Sequence, residues 1–286
     1  MSEAPAVQPE PAADPVDGDS AAKSPAIEVK NVVKRFGDHV VLNGVSFHVN
    51  QGETVSILGR SGTGKSVMLK TIIALMDPDD GQVLVHGRDL HILDEQARLA
   101  ARKDLGYVFQ GAALFDSLNV MENVGFSLYQ QRRPEAEIRR IVLDRLEAVG
   151  LAEAIDKFPA ELSGGMQKRV GLARAIVGEP RIILYDEPTT GLDPLTTDVI
   201  NRIILDLRRR LKVTSLVVTH DIRSALAISD RLVMLDQGKV VIIGTPDEVA
   251  ASPNPWVQRF LGLRPVDYSQ PADLSGPNAA DHQASA

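Results

Sequence analysis

The sequence of 286 residues contains no cysteine, which excludes disulfide bonds, thiolate metal sites and iron–sulfur clusters and fits a reducing compartment. It has no apolar run near the roughly 18 residues that a membrane-spanning helix needs. It also lacks a basic excess: the formal net charge of -7 argues against broad nucleic-acid binding and against attachment to anionic lipid. Any role at a membrane therefore needs partner subunits.

Composition predicts one continuous domain between two tails. Residues 1–25 and 264–286 are rich in alanine, proline and polar residues, as disordered segments are. Before Lys23, the first tail has neither the basic residues nor the apolar segment of a secretory signal. We predict a single domain over residues 26–263, with a mostly helical subdomain at about 116–178.

Hydrophobic periodicity indicates the fold class. Residues 54–58 are an apolar strand that runs into a glycine-rich turn and a helix beginning near Lys65. Further along, residues 182–185, 196–211 and 215–219 have the patterns of strand, helix and strand. This alternation predicts an α/β fold with a parallel sheet covered by helices. Ligands of such sheets bind at the C-terminal ends of the strands.

The turn after the first of these strands fits the phosphate-loop pattern G-x-x-x-x-G-K-[ST]. Its residues are Gly59, Arg60, Ser61, Gly62, Thr63, Gly64, Lys65 and Ser66. Glycines let backbone N–H groups converge on phosphate oxygens, and the following helix presents its positive end to them. We expect Lys65 to reach the β- and γ-phosphates of ATP and the Ser66 hydroxyl to bind Mg²⁺. A chance match arises only about 1% of the time in a chain of this length.

Two acidic residues end the apolar strand at 182–185. A buried strand gains nothing from terminal carboxylates unless a cation or a reaction needs them. We expect Asp186 to hold the Mg²⁺ shell and Glu187 to orient and deprotonate an attacking water. The alternative, acids that merely end a strand before Pro188, is much weaker beside a phosphate loop.

The segment 162–167 separates this chain from other enzymes with a phosphate loop. Ser163 suits a helix N-cap, but Gly164 and Gly165 just inside the helix weaken it by about 1 kcal/mol each relative to alanine. This cost makes sense where bare backbone must approach a second anion. A simple capped helix entry, or another class of phosphoryl-transfer enzyme, leaves the paired glycines unexplained.

Together, the phosphate loop, the Leu-Ser-Gly-Gly segment and the acidic strand end resemble the ATP-binding-cassette (ABC) ATPases over about residues 27–262. The resemblance implies a mixed sheet core of RecA type, an antiparallel β-subdomain and a helical signature subdomain. It also implies a head-to-tail dimer. Each ATP then lies between the phosphate loop of one protomer and residues 163–165 of the other.

The resemblance also implies roles for residues elsewhere in the chain. Phe36 stands where the family stacks an aromatic ring on adenine, with a core role as the alternative. Gln110 matches the glutamine that senses Mg²⁺ and the attacking water, and His220 matches the histidine that contacts the γ-phosphate. Asp193 lies in the segment that communicates across the dimer. Val67 replaces a second hydroxyl residue of many relatives, with the expected loss of one α-phosphate contact.

Residues 109–124, Met166 and Tyr185 are similar to the Mla-type ATPases, which serve phospholipid transport with MCE-domain proteins in bacterial envelopes. This implies a membrane permease and an MCE-domain protein as partners, at the cytoplasmic face of the bacterial inner membrane. A groove through Leu114 and Phe115 is expected to accept a permease helix.

Two other functions stay open at this point. A polar amino-acid or other small-solute importer is similar too, although those ATPases usually carry glutamine in place of Met166 and leucine in place of Tyr185. A soluble cassette protein acting on ribosomes or DNA is the second, but the paired cassettes or long coiled coils usual there are not in the sequence. Trp256 and Phe260 either dock on a partner protomer or complete the core.

Overall fold

Two β-sheets organise residues 25–263, the part of the chain that the computed structural model describes. The first sheet consists of β1 (Pro25–Phe36), β2 (His39–Asn50), β4 (Asp80–Val85) and β5 (Arg88–Asp89). The second consists of β3 (Thr54–Leu58), β6 (Leu105–Val108), β7 (Ile182–Asp186), β8 (Thr214–Thr219), β9 (Arg231–Asp236) and β10 (Lys239–Gly244). The predicted tails fall outside the described residues, apart from Pro25.

The first sheet has the order β2-β1-β4-β5 and is antiparallel throughout. The second has the order β10-β9-β3-β8-β7-β6, and its strands from β9 to β6 are parallel, while β10 is antiparallel to β9. Every residue of β3, β7 and β8 is buried, as expected for central strands covered on both faces. The α/β fold with an antiparallel β-subdomain is confirmed.

Helices cover the second sheet and form most of the segment between β6 and β7. They are α1 (Lys65–Ile72), α2 (Glu95–Arg102), α3 (Val120–Gln130), α4 (Glu135–Ala148), α5 (Gly164–Ile176), α6 (Pro194–Leu211), α7 (Ile222–Ile228), α8 (Pro246–Ala250) and α9 (Pro255–Phe260). Within residues 25–263, none of them has both the length and the apolar character to cross a bilayer.

Side-chain caps fix several helix starts. Asn119 and Glu122 form a reciprocal capping box at the start of α3. The Asp193 carboxylate accepts hydrogen bonds from the backbone N–H groups of Leu195 and Thr196, both at 3.0 Å. This cap starts α6 two residues earlier than the apolar pattern predicts, at Pro194, which suits the first turn of a helix.

Three apolar clusters form the core. The first joins α3, α4 and α5 to one face of the second sheet, the second lies between the two sheets around α1, and the third lies under α7, α8 and α9. Trp256 and Phe260 stack with ring centroids 5.1 Å apart and pack against the third cluster. The two aromatic residues therefore complete the core of their own chain.

Candidate active site

The phosphate loop, residues 59–66, leaves the end of β3 and enters α1 at Lys65. Gly64 has a φ of 93°, in the left-handed region, and a Cβ there would lie 2.7 Å from the Leu42 side chain and 2.9 Å from the Val41 carbonyl oxygen. Both backbone conformation and space therefore require glycine. Among the described residues, no side chain caps α1, so its first N–H groups are available to an anion.

The other side chains of the loop are arranged around this backbone. Arg60 and Ser61 are exposed, and the Thr63 hydroxyl donates to the Arg60 carbonyl oxygen at 2.9 Å. Val67 is half-buried and packs against the second cluster. Because a valine side chain has no hydrogen-bond donor, a phosphate contact at this position could come only from the backbone N–H.

Lys65 is a buried cation in the middle of the loop. Its Nζ donates to the carbonyl oxygens of Gly59 at 2.8 Å and Arg60 at 2.9 Å, and lies 3.7 Å from Glu187 Oε1. Burial lowers the pKa of Lys65, while the nearby Glu187 and Asp186 carboxylates oppose that shift. The ammonium group is thus held where triphosphate oxygens would enter the loop.

The residue after Lys65, Ser66, forms a hydrogen bond with a carboxylate. Ser66 Oγ donates to Asp186 Oδ1 at 2.8 Å, and the Tyr107 hydroxyl donates to Asp186 Oδ2 at 3.1 Å. Residues 25–263 contain no cluster of three histidine or acidic side chains able to cage a metal. One hydroxyl and one carboxylate do fit Mg²⁺, which usually completes its octahedral shell with waters and substrate phosphates.

Glu187 has an unusual backbone and a tightly held carboxylate. Its φ is 50°, in the left-handed region that residues other than glycine seldom adopt. Its N–H donates to the Val218 carbonyl oxygen at 2.9 Å. Glu187 Oε2 accepts from the Thr190 hydroxyl at 2.9 Å and lies 2.8 Å from His220 Nδ1. A buried carboxylate fixed in this way has the geometry of a general base.

Lys168 is a second buried cation, and the sequence patterns did not single it out. Its Nζ donates to the Gln110 carbonyl oxygen and lies 3.3 Å from the Glu187 carbonyl oxygen. Burial lowers its pKa, against the opposing effect of Glu187 and Asp186. A signal was present: Lys168 stands one turn before the buried Leu172, on the apolar face of α5. The contact ties α5 to both Gln110 and Glu187.

Gln110 and Phe36 lie at the surface of the chain. Gln110 follows β6 and is exposed, and only its carbonyl oxygen has a contact among those described above. Phe36 is 49% exposed, with the Lys34 ammonium 5.7 Å from its ring centroid. The alternative of a core role for Phe36 is therefore wrong, and its contact with adenine stays a prediction.

A cavity that does not include the phosphate loop is lined by Ser163, Gly164 and Gly165. Ser163 caps α5 by accepting a hydrogen bond from the Met166 N–H at 3.3 Å. A Cβ on Gly165 would lie 2.6 Å from the Thr196 side chain, whereas nothing lies within 4 Å at Gly164. This cavity, of about 420 Å³, also includes Asp193 but no residue of the phosphate loop. Any nucleotide contact by residues 163–165 therefore concerns a second molecule or a second site.

The predicted docking groove needs correction. Leu114 is half-buried and packs against the first cluster, while Phe115 is 45% exposed and stacks with Phe126 at 4.8 Å between centroids. A cavity of about 800 Å³ lies instead between β6 and the ends of α2 to α5, and neither Leu114 nor Phe115 lines it. Because Leu114 packs against the first cluster, only Phe115 of these two residues is largely exposed.

Comparison with known proteins gives a consistent result. Residues 42–190 match the family described as ABC transporter. The chain is 40% identical to the probable ribonucleotide transport ATP-binding protein mkl of Mycobacterium leprae, over 87% of this chain and 73% of that protein. It is 39% identical to the intermembrane phospholipid transport system ATP-binding protein MlaF of Haemophilus influenzae, over 86% and 95%. It is 43% identical to the sulfate/thiosulfate import ATP-binding protein cysA of Cucumis sativus, over 83% and 68%.

Among solved structures, the fold is similar to a dimeric, post-hydrolysis state of the ATP-binding cassette MJ0796 bound to ADP and phosphate. The TM-score is 0.71 and the identity 35%, over 77% of this chain and 98% of that one.

Proposed function

This chain belongs to the ABC transporter family as an ATP-binding, ATP-hydrolysing subunit, and on that premise we propose that it powers phospholipid transport through a membrane permease. The observation that carries the lipid assignment is the match to MlaF, which extends over 95% of that protein. Met166 and Tyr185 agree with the same sub-family. Identity alone does not decide, because the mkl and cysA relatives are 40% and 43% identical.

ATP binding rests on the phosphate loop and α1. Lys65, with loop N–H groups on either side, contacts the β- and γ-phosphates, and charge-assisted hydrogen bonds of this kind are about twice as strong as neutral ones. Ser66 and Asp186 hold Mg²⁺ next to these phosphates. When bound at Ser66 and Asp186, Mg²⁺ would supply positive charge against the negative charge that develops on the phosphates. Phe36 supports the adenine from the side of the antiparallel sheet.

Hydrolysis rests on Glu187. Its carboxylate, held by Thr190 and His220, orients a water and takes its proton as the water attacks the γ-phosphate. His220 contacts the same phosphate from its half-exposed ring, and Gln110 senses the metal and the water. The Lys168 contact keeps the backbone of Gln110 and Glu187 at a fixed separation.

Each site is completed by a second copy of the chain. ABC ATPase domains dimerise, as the solved cassette MJ0796 does. Residues 163–165 line a cavity without phosphate-loop residues, which supports their contacting the nucleotide of the partner protomer. Their bare glycine backbone and the positive end of α5 suit the γ-phosphate.

The permease docks in the cavity of about 800 Å³ beside β6. The charged residues of this chain that line the cavity are Arg102, Lys103, Arg133, Arg140, Arg145, Arg174, Glu137, Asp144 and Glu179. Two of the arginines already form ion pairs with the acidic residues of the lining: Arg145 pairs with Asp144 and Glu179, and Arg133 pairs with Glu137. The remaining positive charge favours a permease segment that carries acidic side chains.

The test is to purify the tagged chain from native membranes, identify its companions and extract bound lipid. We expect a permease, an MCE-domain protein and phospholipid, at the cytoplasmic face of the inner membrane. Recovery with a solute-binding protein and its permease, without phospholipid, would refute the lipid assignment and leave the ATPase assignment intact. Recovery with ribosomes or DNA would refute the transport role.

A further inference from the structure

Both oxygens of the Asp186 carboxylate accept a hydroxyl hydrogen bond. Ser66 Oγ donates to Oδ1 at 2.8 Å, and the Tyr107 hydroxyl donates to Oδ2 at 3.1 Å. Two donors on opposite oxygens fix the plane of a carboxylate, because rotation about its last bond would break both contacts. Asp186 is only 7% exposed, so water gives little competition for either position.

The pairing of strands brings Tyr107 to this position. In the parallel pair β6–β7, Tyr107 lies opposite Leu184 and Val108 opposite Tyr185. Side chains alternate along a strand, so Tyr107, Leu184 and Asp186 share one face of the sheet. The long phenol ring can then reach past Leu184 to the carboxylate at the strand end. A shorter or apolar side chain at this position leaves Asp186 Oδ2 without that donor.

The ring of Tyr107 is held from two sides. It packs against the second cluster and against Phe109, with ring centroids 4.5 Å apart. It also lines the cavity beside β6. The ring is therefore placed by apolar contacts that do not involve its hydroxyl, and the hydroxyl is free to serve the carboxylate.

We propose that Tyr107 is a positioning residue for the metal site: its hydroxyl holds the Asp186 carboxylate in the orientation that Mg²⁺ needs. The inference rests on the proposed role of Asp186 as a metal ligand. Groups that hydrogen-bond to metal ligands commonly change metal affinity by about 10–100-fold when removed. Mg²⁺ sites usually retain several waters and use few protein ligands, so we expect about 10-fold, the lower end of that range.

The experiment compares Tyr107→Phe with Tyr129→Phe, which removes a hydroxyl from an exposed tyrosine on α3. Mn²⁺ replaces Mg²⁺, and its binding to the ATP-loaded protein is followed by electron paramagnetic resonance. We expect Tyr107→Phe to weaken Mn²⁺ binding about 10-fold, with an unchanged melting temperature and unchanged ATP binding in EDTA. Tyr129→Phe should match the original chain in all three measurements.

Steady-state kinetics gives a second readout. Saturating Mg²⁺ should restore most of the kcat of Tyr107→Phe, because a positioning defect raises the metal concentration required and leaves the general base intact. Native-like Mn²⁺ binding by Tyr107→Phe overturns the inference, and so does a loss of ATP binding in EDTA, which would show a structural role. Asp186→Asn tests the role of Asp186 separately from that of Tyr107. If Asp186→Asn also leaves Mn²⁺ binding unchanged, Asp186 is not a metal ligand.

Discussion

Glu187 and His220 form a direct pair, with Glu187 Oε2 at 2.8 Å from His220 Nδ1 and at 3.4 Å from the His220 backbone nitrogen. The histidine side chain is 51% exposed and that of the glutamate 9%. A solvent-facing ring is thus anchored on a buried carboxylate. The pair joins the residue after β7 to the residue after β8, two neighbouring parallel strands whose ends meet at one edge of the sheet.

The first prediction concerns the general base. Glu187→Gln should bind Mg-ATP but lose turnover by about 10²–10⁴-fold, because an amide cannot take the proton of the attacking water. The variant should accumulate as an ATP-bound dimer, seen by size-exclusion chromatography. Glu153→Gln, at an exposed position, is the matched control. Near-normal ATPase activity of Glu187→Gln would exclude this role.

The second prediction separates nucleotide binding from assembly. Lys65→Ala should lose affinity for ATP, because the triphosphate loses its charge-assisted partner. Ser163→Arg should bind ATP without dimerising, because the long side chain fills the space meant for the γ-phosphate of the partner protomer. Mixed protomers should retain at most one composite site. Normal hydrolysis by Ser163→Arg would contradict the shared site.

The third prediction concerns Lys168. Lys168→Met keeps the length of the side chain but leaves the carbonyl oxygens of Gln110 and Glu187 without their donor, at a cost of about 1–3 kcal/mol in the free energy of unfolding. We expect a lower melting temperature and slower hydrolysis with ATP affinity preserved. Lys157→Met, outside the site, should change none of these. If Lys168→Met hydrolyses ATP at the original rate, the contact contributes to stability only and not to hydrolysis.

The fourth prediction concerns docking. Arg140→Glu reverses a charge that lines the cavity beside β6, so it should weaken binding to an acidic permease segment. ATP binding should survive, because the phosphate loop is a separate element. Pull-down of the permease measures the effect, with Arg210→Glu as a control at the end of α6. Equal loss in both variants would point to general charge rather than to this cavity.

Local patterns were enough to predict the strand, loop and helix around residues 54–72. The period of the apolar residues and the glycine spacing are properties of neighbouring positions, and β3 has the predicted bounds. The contacts of Tyr107 and Lys168 could not be predicted in this way. Each depends on which strands pair and on how α5 packs. The spacing of residues places Lys168 on the apolar face of α5 but does not indicate which groups it contacts there.

The predicted docking groove shows the same limit of local sequence patterns. Leu114 and Phe115 are adjacent apolar residues in an irregular segment, where no period indicates which side chain turns inward. In the structure, Leu114 is half-buried against the first cluster and Phe115 is exposed. Charged residues from several helices line the cavity beside β6, and a search for apolar runs does not detect such a surface.

The left-handed backbone of Glu187 limits which residues can occupy its position, apart from any question of catalysis. Pro188 follows it, and a residue before proline is already confined mainly to extended conformations. Asparagine, aspartate and glycine adopt a φ near 50° most readily, whereas valine, isoleucine and threonine do so rarely. In a mutational scan scored by cellular abundance, the β-branched substitutions should therefore be depleted relative to asparagine and aspartate, even though asparagine cannot act as the base. The abundance of chains substituted at this position would then depend on the backbone conformation, whereas their ATPase activity would depend on the carboxylate.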